Sequence, residues 1–312
     1  MKIGNLDISA FKVGSGDCTI YLGDVKLYPD EVEPTFNGKW KLTLSDSSTV
    51  SAECDSTSAI TSAKTSSYSN STVSAVIGNC VTTIGDSAFS FYTTLTSVTI
   101  PNSVTSIGDS AFNKCSGLTS IDIPSGVTSI GSSAFRDCTS LTNITIPSGV
   151  TSISNYTFSY CTSLTSVTIP SGVTSIGLSA FSYCGSLTSI TIPSGVTSIS
   201  NNTFQNCTHL TSITLPSGVT SIGSYAFRYC SSLTSITIPN GVTNILARAF
   251  QNCSGLTSIT VEATTPPTLV NSNAFSNTND CPIYVPPDSV ATYQAASVWS
   301  TYASRIQAIP SS

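Results

Sequence analysis

Residues 161–183 read CTSLTSVTIPSGVTSIGLSAFSY, and the same 23-residue phrase returns along most of the chain. Phenylalanine marks the period: Phe89, Phe112, Phe135, Phe158, Phe181, Phe204, Phe227 and Phe250 stand 23 residues apart. Prolines from Pro101 to Pro239 and cysteines from Cys115 to Cys253 keep the same step. Within one unit, Val167 and Ile169 alternate with Ser166 and Thr168, which predicts a short strand with one buried face. Pro170 ends that strand because it cannot donate the next ladder hydrogen bond. Val173 and Ile176 then point back inward, and Ala180-Phe181 fills the outer part of the turn. A single 23-residue coil cannot bury Leu, Ile, Val and Phe alone. Stacked coils can, in columns, with strands ~4.8 Å apart. The fold class expected is a mostly β solenoid of α/β type, about 40 Å long for the eight visible turns, preceded by a small antiparallel β region.

The units resemble the BspA-type (Treponema pallidum-type) leucine-rich repeats of bacteria, written C-x-x-L-x-x-I-x-I-P-x-x-V-x-x-I-G-x-x-A-F. The resemblance covers roughly Val73 to Val285. It departs at Tyr92, which holds the cysteine slot, and at Ser154, Ser200 and Leu246, which replace the usual Gly. It implies a right-handed, curved solenoid used for adhesion or protein binding, often at a bacterial surface. A second period lies inside the first. GSSAF, GLSAF and GSYAF follow Ile130, Ile176 and Ile222, whereas SNYTF and SNNTF follow Ile153 and Ile199. That alternation suggests growth by duplication of a two-coil unit.

Four segments are expected: an N-terminal hairpin module (1–33), a β-rich cap or linker (34–72), the solenoid (73–286) and a C-terminal cap with a short helix (287–312). Residues 18–28, CTIYLGDVKLY, predict a hairpin around Gly23-Asp24. Residues 36–44, FNGKWKLTL, predict another around Asn37-Gly38. Ser45 to Thr72 carries one or two edge strands. Thr265-Pro266-Pro267 breaks the 23-residue register, Cys281-PIYVPP supplies a last strand, and Asp288 is placed to N-cap a helix through Ala296. The tail Ala263 to Pro310 resembles the C-terminal cap of Bacteroides-type members of the family, which would cover the apolar end and the open strand edge. Residues 21–29 loosely resemble short N-terminal modules of phage or prophage tail proteins.

Composition narrows function. Charged residues are 9% of the chain, against ~25% in an ordinary soluble domain. The net charge of −5 argues against nucleic acid or an anionic membrane surface as partner. No apolar run reaches the ~18 residues of a membrane span, so membrane insertion is not expected. The first fourteen residues have no continuous apolar region and no small-residue cleavage site, unlike a secretory signal. On that reading a virion-associated or cytoplasmic location is favoured, against the surface location the family resemblance suggests.

Candidate chemistry is sparse. The seven cysteines of the column are read as a buried, reduced ladder, with Cys18, Cys54, Cys80 and Cys281 unassigned. His209 occupies a slot that holds Gly or Ser in other coils, so it is read as solvated. No Asp or Glu falls between Cys138 and Val261, which removes the carboxylate pairs of glycosidase chemistry. Asp86 and Asp109 are read as caps. No catalytic residue, metal site or cofactor is expected.

What remains is surface. The concave face is expected to present Ser120 and Asp122, Asn143 and Thr145, Ser166 and Thr168, Ser189 and Thr191, and Ser212 and Thr214. Short hydroxyls hydrogen-bond at little side-chain entropy cost. A second patch lies along the coil edge, with Phe91, Tyr160, Tyr183 and Tyr229 in one register and Tyr156 and Tyr225 in a neighbouring one, beside Arg136 and Arg228. Tyrosine and arginine anchor interfaces. The function expected is non-enzymatic binding or adhesion toward a protein or glycan, such as one on a host surface. A phage or prophage host-contact component, with a docking partner for the N-terminal hairpins, and a spacer without specific ligand are the alternatives. Ice binding is a remote third, because the sheet is curved.

Overall fold

The computed structural model describes residues 38–53, 59–61 and 66–310, together with the backbone of five short strands before residue 28. Among those strands, Asp17–Leu22 pairs antiparallel with Val25–Leu27, with Leu22 opposite Val25. The hairpin read from the sequence is therefore present, although Gly23 and Asp24 lie outside the described residues. Phe11–Gly14 completes that sheet on the other edge of Asp17–Leu22.

The next sheet corrects one expectation. Trp40–Leu44 turns through Ser45–Ser48, not Asn37-Gly38, into Thr49–Ala52. The turn is built locally: Asp46 Oδ1 accepts from the Ser48 amide and hydroxyl, and Ser47 is left-handed at φ 67°. Trp40–Leu44 is also bonded on its other side to Thr72–Ile77. Both of its edges are filled, so no strand is left to pair with it across Asn37-Gly38, of which Asn37 is outside the described residues.

From Thr72–Ile77 onward the chain winds into coils, each carrying two short parallel ladders. The first side carries Ser97–Thr99, Asn143–Thr145, Ser166–Thr168, Ser189–Thr191, Ser212–Thr214, Ser235–Ile238 and Ser258–Val261, which pair 23 residues apart at Asn143 with Ser166, Ser189 with Ser212 and Ser235 with Ser258. The second pairs Ile107 with Ile130, Ile153 with Ile176 and Ile199 with Ile222. One predicted strand is missing. Ser120-Ile121-Asp122 keeps the alternating burial but joins no ladder. Aspartate is depleted in strands, and the coil is held instead by the Thr142 amide donating to the Thr119 carbonyl at 3.2 Å.

The third side of each coil is a run of tight turns without helix. Phe158 N–H donates forward to the Ala180 carbonyl at 2.9 Å, and Tyr156 and Tyr160 donate forward to Leu178 and Ser182. The strands donate backward, as Thr165 does to Thr142. Every coil is thus bonded to both neighbours, and its polar backbone is satisfied by a copy of itself.

The core follows from that registration. The eight predicted phenylalanines are fully buried and stack nearly parallel, with centroids 5.1–5.7 Å apart and interplanar angles of 2–15°, and Phe275 extends the file. Equivalent atoms of adjacent strands lie only ~4.8 Å apart. The coils therefore splay on the Phe side, which makes that side convex and the Ser/Thr strands concave. Tyr92, in the slot that cysteine takes elsewhere, is buried and packs edge-on against Phe89 at 5.4 Å.

The cysteine column is reduced, as expected. Each thiol donates to a Phe carbonyl 26 residues earlier, as Cys161 does to Phe135 at 3.1 Å. Burial pushes up the thiols of Cys115, Cys138, Cys161, Cys184, Cys207 and Cys230, that of Cys207 to about 12. Cys80 instead is disulfide-bonded, and Cys281 is a buried free thiol. The two-coil alternation has a hydrogen-bonding cause. Where a coil has Gly177, its amide donates to Ile153, and a Cβ there would lie 2.7 Å from the Asn155 nitrogen. Where a coil has Ser154, its hydroxyl reaches the Ile130 carbonyl at 2.7 Å, and Thr157 in the Ala slot donates back to Ser154. Ser200 and Thr203 repeat the pair.

The C-terminal end also differs from expectation. Register resumes after Pro267 with one residue added, since Asn244 pairs with Thr268 and Ile259 with Ile283. Ile283–Val285 is not the last strand: Ile306–Ala308 pairs parallel beyond it. The helix Val290–Ala295 is preceded by a 3-10 turn at Pro287–Ser289, and no side chain caps either element, so Asp288 is not an N-cap. Packing holds this end instead. Trp299 and Tyr302 close the Phe file, and the Trp299 indole donates to the Pro267 carbonyl at 2.7 Å.

Truncating the file at its middle, Phe158→Ala, removes two stacking partners at once and is expected to cost about 3–5 kcal/mol in urea unfolding. The thiols give a pH dependence with a definite sign. For the six raised thiols, Cys115 to Cys230, the folded pKa lies above the unfolded value, so their contribution is complete below about pH 9 and is lost as pH rises toward 12. Alkaline titration of the unfolding midpoint should show that fall. At pH 8 the seven column thiols should stay inert to a disulfide reagent until denaturant is added.

Candidate functional site

The strand face and the tight-turn wall offer different chemistry. On the concave face Asn143, Thr145, Ser166, Thr168, Ser189, Thr191, Ser212 and Thr214 are all exposed, between buried Ile144, Ile190 and Ile213. Ladder pairing sets them in two rows, with Asn143 beside Ser166, Thr145 beside Thr168, and Thr191 beside Thr214. Ser120 and Asp122 are exposed in the same rows although their coil lacks a strand. The column just before the rows behaves differently. Thr142, Thr165, Thr188, Thr211, Thr234 and Thr257 each donate their hydroxyl proton to the carbonyl of the preceding coil, as Thr165 does to Thr142 at 3.0 Å. Their protons are spent on the solenoid. The concave Ser and Thr hydroxyls of these rows make no hydrogen bond with the described protein, and stay available as donors and acceptors. A shallow groove of about 350 Å³ lies among them, lined by Ser189, Thr191, Ser212 and Thr214 over Ile190, Ile192 and Ile213.

On the outer wall, two residues per coil are left-handed without being glycine. One column is Ser87, Ser110, Ser133, Tyr156, Ser179, Asn202, Tyr225 and Arg248, with φ from 54° to 59°. The other is Phe91, Lys114, Asp137, Tyr160, Tyr183, Asn206, Tyr229 and Asn252, with φ from 58° to 66°. This backbone gathers the edge residues into two clusters. In the first, the Arg136 guanidinium lies 5.9 Å from the Tyr156 ring and 5.8 Å from the Tyr160 ring, and Nε meets Asp137 at 3.4 Å. Tyr160 stacks on Tyr183 with centroids 4.4 Å apart. Burial, then Tyr183, raises the Tyr160 phenol, against the lowering influence of Arg136. In the second, Arg228 lies 5.4 Å from the Tyr225 ring and 4.6 Å from Tyr229. Arg248 completes it, donating to the Tyr225 hydroxyl at 2.6 Å.

Arg248 was missed from sequence, yet it stands 23 residues after Tyr225 and the repeat arithmetic locates it. Lys114, 4.6 Å from the exposed Phe91 ring, was missed in the same way. Asp86 and Asp109 cap across coils: Asp86 Oδ1 accepts from the Asp109 amide at 2.8 Å, and Asp109 Oδ1 from Ser132 at 2.6 Å. Asn155 and Asn201 do the same for Leu178 and Ser224. His209 is exposed, and its Nδ1 lies 2.6 Å from the Gly185 carbonyl. Among the described residues no three potential metal ligands gather, and no helix is long and apolar enough to cross a membrane.

The chain matches the BspA type leucine rich repeat region in six copies, over residues 59–187 and 174–297. A leucine-rich repeat protein from Bacteroides ovatus has a similar structure, with 29% identity and a TM-score of 0.57. The match covers 67% of this chain and 59% of that protein, so the chain spans under two thirds of its length. The pneumococcal vaccine antigen PcpA shares the fold at 19% identity and a TM-score of 0.50, over 75% of this chain and 65% of PcpA. No curated protein is similar to the chain. Solenoids of this kind are generally non-enzymatic and consistent with a protein-binding or adhesion role. With its matched regions spanning residues 59 to 297, the chain belongs to the BspA-type leucine-rich repeat family.

Proposed function

We propose that this chain is a non-enzymatic adhesion protein that holds an uncharged segment of a partner protein along its concave face. The observation that carries the reading is the contrast between two threonine columns. One has its hydroxyl protons tied to the preceding coil, while the concave rows beside it keep theirs free. From Asn143 to Thr214 these rows carry no charged side chain, so a neutral, hydrogen-bonding ligand meets no desolvated charge there. The apolar floor of Ile190, Ile192 and Ile213 under the groove adds contact area for a peptide side chain. The disulfide at Cys80 supports a location outside a reducing cytosol, as an adhesion role requires.

The test is a panel of immobilised extracellular proteins and neutral glycans probed with the full chain and with Thr168→Glu/Thr191→Glu/Thr214→Glu. A protein ligand whose affinity falls by about tenfold or more in the triple variant, with unfolding unchanged, is the expected result. Binding confined to glycans transfers the same face to a carbohydrate. Binding that ignores the substitutions, or none to any member, overturns the assignment and leaves a spacer.

A further inference from the structure

Charge is distributed unevenly along the outer edge. Thirteen of the 16 acidic residues precede Cys138 and none falls between Cys138 and Val261. In that acid-free stretch the only Lys or Arg residues are Arg228 and Arg248, and both meet at Tyr225. Neither makes an ion pair with a described residue. At the other end of the same edge, Asp86 and Asp109 are exposed on adjacent coils, and each uses only Oδ1 within the solenoid. Asp86 and Asp109 immediately precede Ser87 and Ser110, the first two members of the left-handed column. Tyr225 and Arg248 are its last two members. In the middle stand Tyr156, which is exposed, and Leu178, which is half-buried.

We infer that this edge is a self-complementary interface for a second copy of the chain, running antiparallel. Reversing an eight-coil column onto itself sets the first coil opposite the eighth and the second opposite the seventh. Asp86 of one copy then faces Arg248 of the other, and Asp109 faces the Tyr225–Arg228 pair. The fourth and fifth coils face each other, which brings Tyr156 against Leu178 at the centre. A two-fold contact requires such reciprocity, because each residue must find its partner twice. Each guanidinium gives one terminal nitrogen to a tyrosine hydroxyl, Arg248 to Tyr225 and Arg228 to Tyr229, and keeps further N–H groups for a carboxylate. A polyanion is a poorer occupant, since it needs an unbroken basic stripe and would meet Asp86, Asp109 and Asp137 on this wall, on a chain of net charge −5. Seven inter-coil steps at the 5.1–5.7 Å of the convex side make the edge about 36–40 Å long, enough for the ~800 Å² per partner of a standard interface.

Sedimentation velocity on the full chain tests the assignment. A dimer at low salt that weakens at high salt is expected. Arg228→Glu/Arg248→Glu should raise the dimer dissociation constant by more than about tenfold. Asp86→Asn/Asp109→Asn, which keeps the inter-coil acceptor as Asn155 and Asn201 do, should weaken it less. Mixing Arg228→Glu/Arg248→Glu with Asp86→Lys/Asp109→Lys should restore a heterodimer, because every facing pair is then opposite in sign. A wild-type monomer at low salt overturns the inference. So does a dimer indifferent to the arginine variant, or a mixture that stays monomeric.

Discussion

A 23-residue coil of this chain has no interior of its own, and that deficit governs the molecule. Its Leu, Ile, Val and Phe side chains are covered only when an equivalent coil lies above and below. Its amides find carbonyls only on those same neighbours, backward from the strands and forward from the turns. Two opposed sets of backbone bonds lock the step in both directions. Identical side chains are then forced into files, whatever their chemistry: phenyl on phenyl, thiol behind thiol, hydroxyl over carbonyl. Curvature is a by-product. Rings in file take 5.1–5.7 Å per coil, strands need ~4.8 Å, and the difference bends the stack.

The same residue type serves opposite ends according to its column. Thr165 and Thr168 are three positions apart, both exposed. The first hands its proton to the coil behind and becomes part of the scaffold, whereas the second has no such acceptor and faces outward with its donor intact. A surface that looks uniformly hydroxylated by composition is therefore two surfaces, one structural and one open to contact. The Ser154–Thr157 pair shows the same economy inside the wall, where a hydroxyl replaces the amide bond made by Gly in other coils.

Most of the solenoid was legible because its decisive signal is repetition, which survives any error about a single element. Phe158 needs no local rule once seven equivalents agree, nor Cys161 once six do. The strand at Ser120–Asp122 was misread for the same reason: the repeat implied a ladder, while the individual aspartate opposed it. Where repetition stops, reading weakens. Asn37-Gly38 is a good turn dipeptide, but the strand after it has both edges taken by Thr49–Ala52 and Thr72–Ile77, a tertiary fact invisible locally. Ile306–Ala308 is too short and too polar to announce itself, and becomes a strand because Ile283–Val285 leaves an edge open. The concave rows and the tyrosines could be placed by arithmetic, but which hydroxyls were already engaged could not, since that depends on whether a carbonyl of the coil behind lies within reach.

The paired left-handed positions of every coil set how such a molecule can diversify. A left-handed backbone disfavours β-branched side chains on steric grounds, and none of the sixteen sites carries Val, Ile or Thr. Ser, Asn, Asp, Lys, Arg, Phe and Tyr all occur there, and apart from buried Ser179 they are half-buried or exposed. Mutation can therefore rewrite this wall one residue at a time without disturbing the files behind it. New specificities would be drawn from a restricted alphabet, rich in amides, phenols and cations, on a lattice whose pitch has been decided in advance.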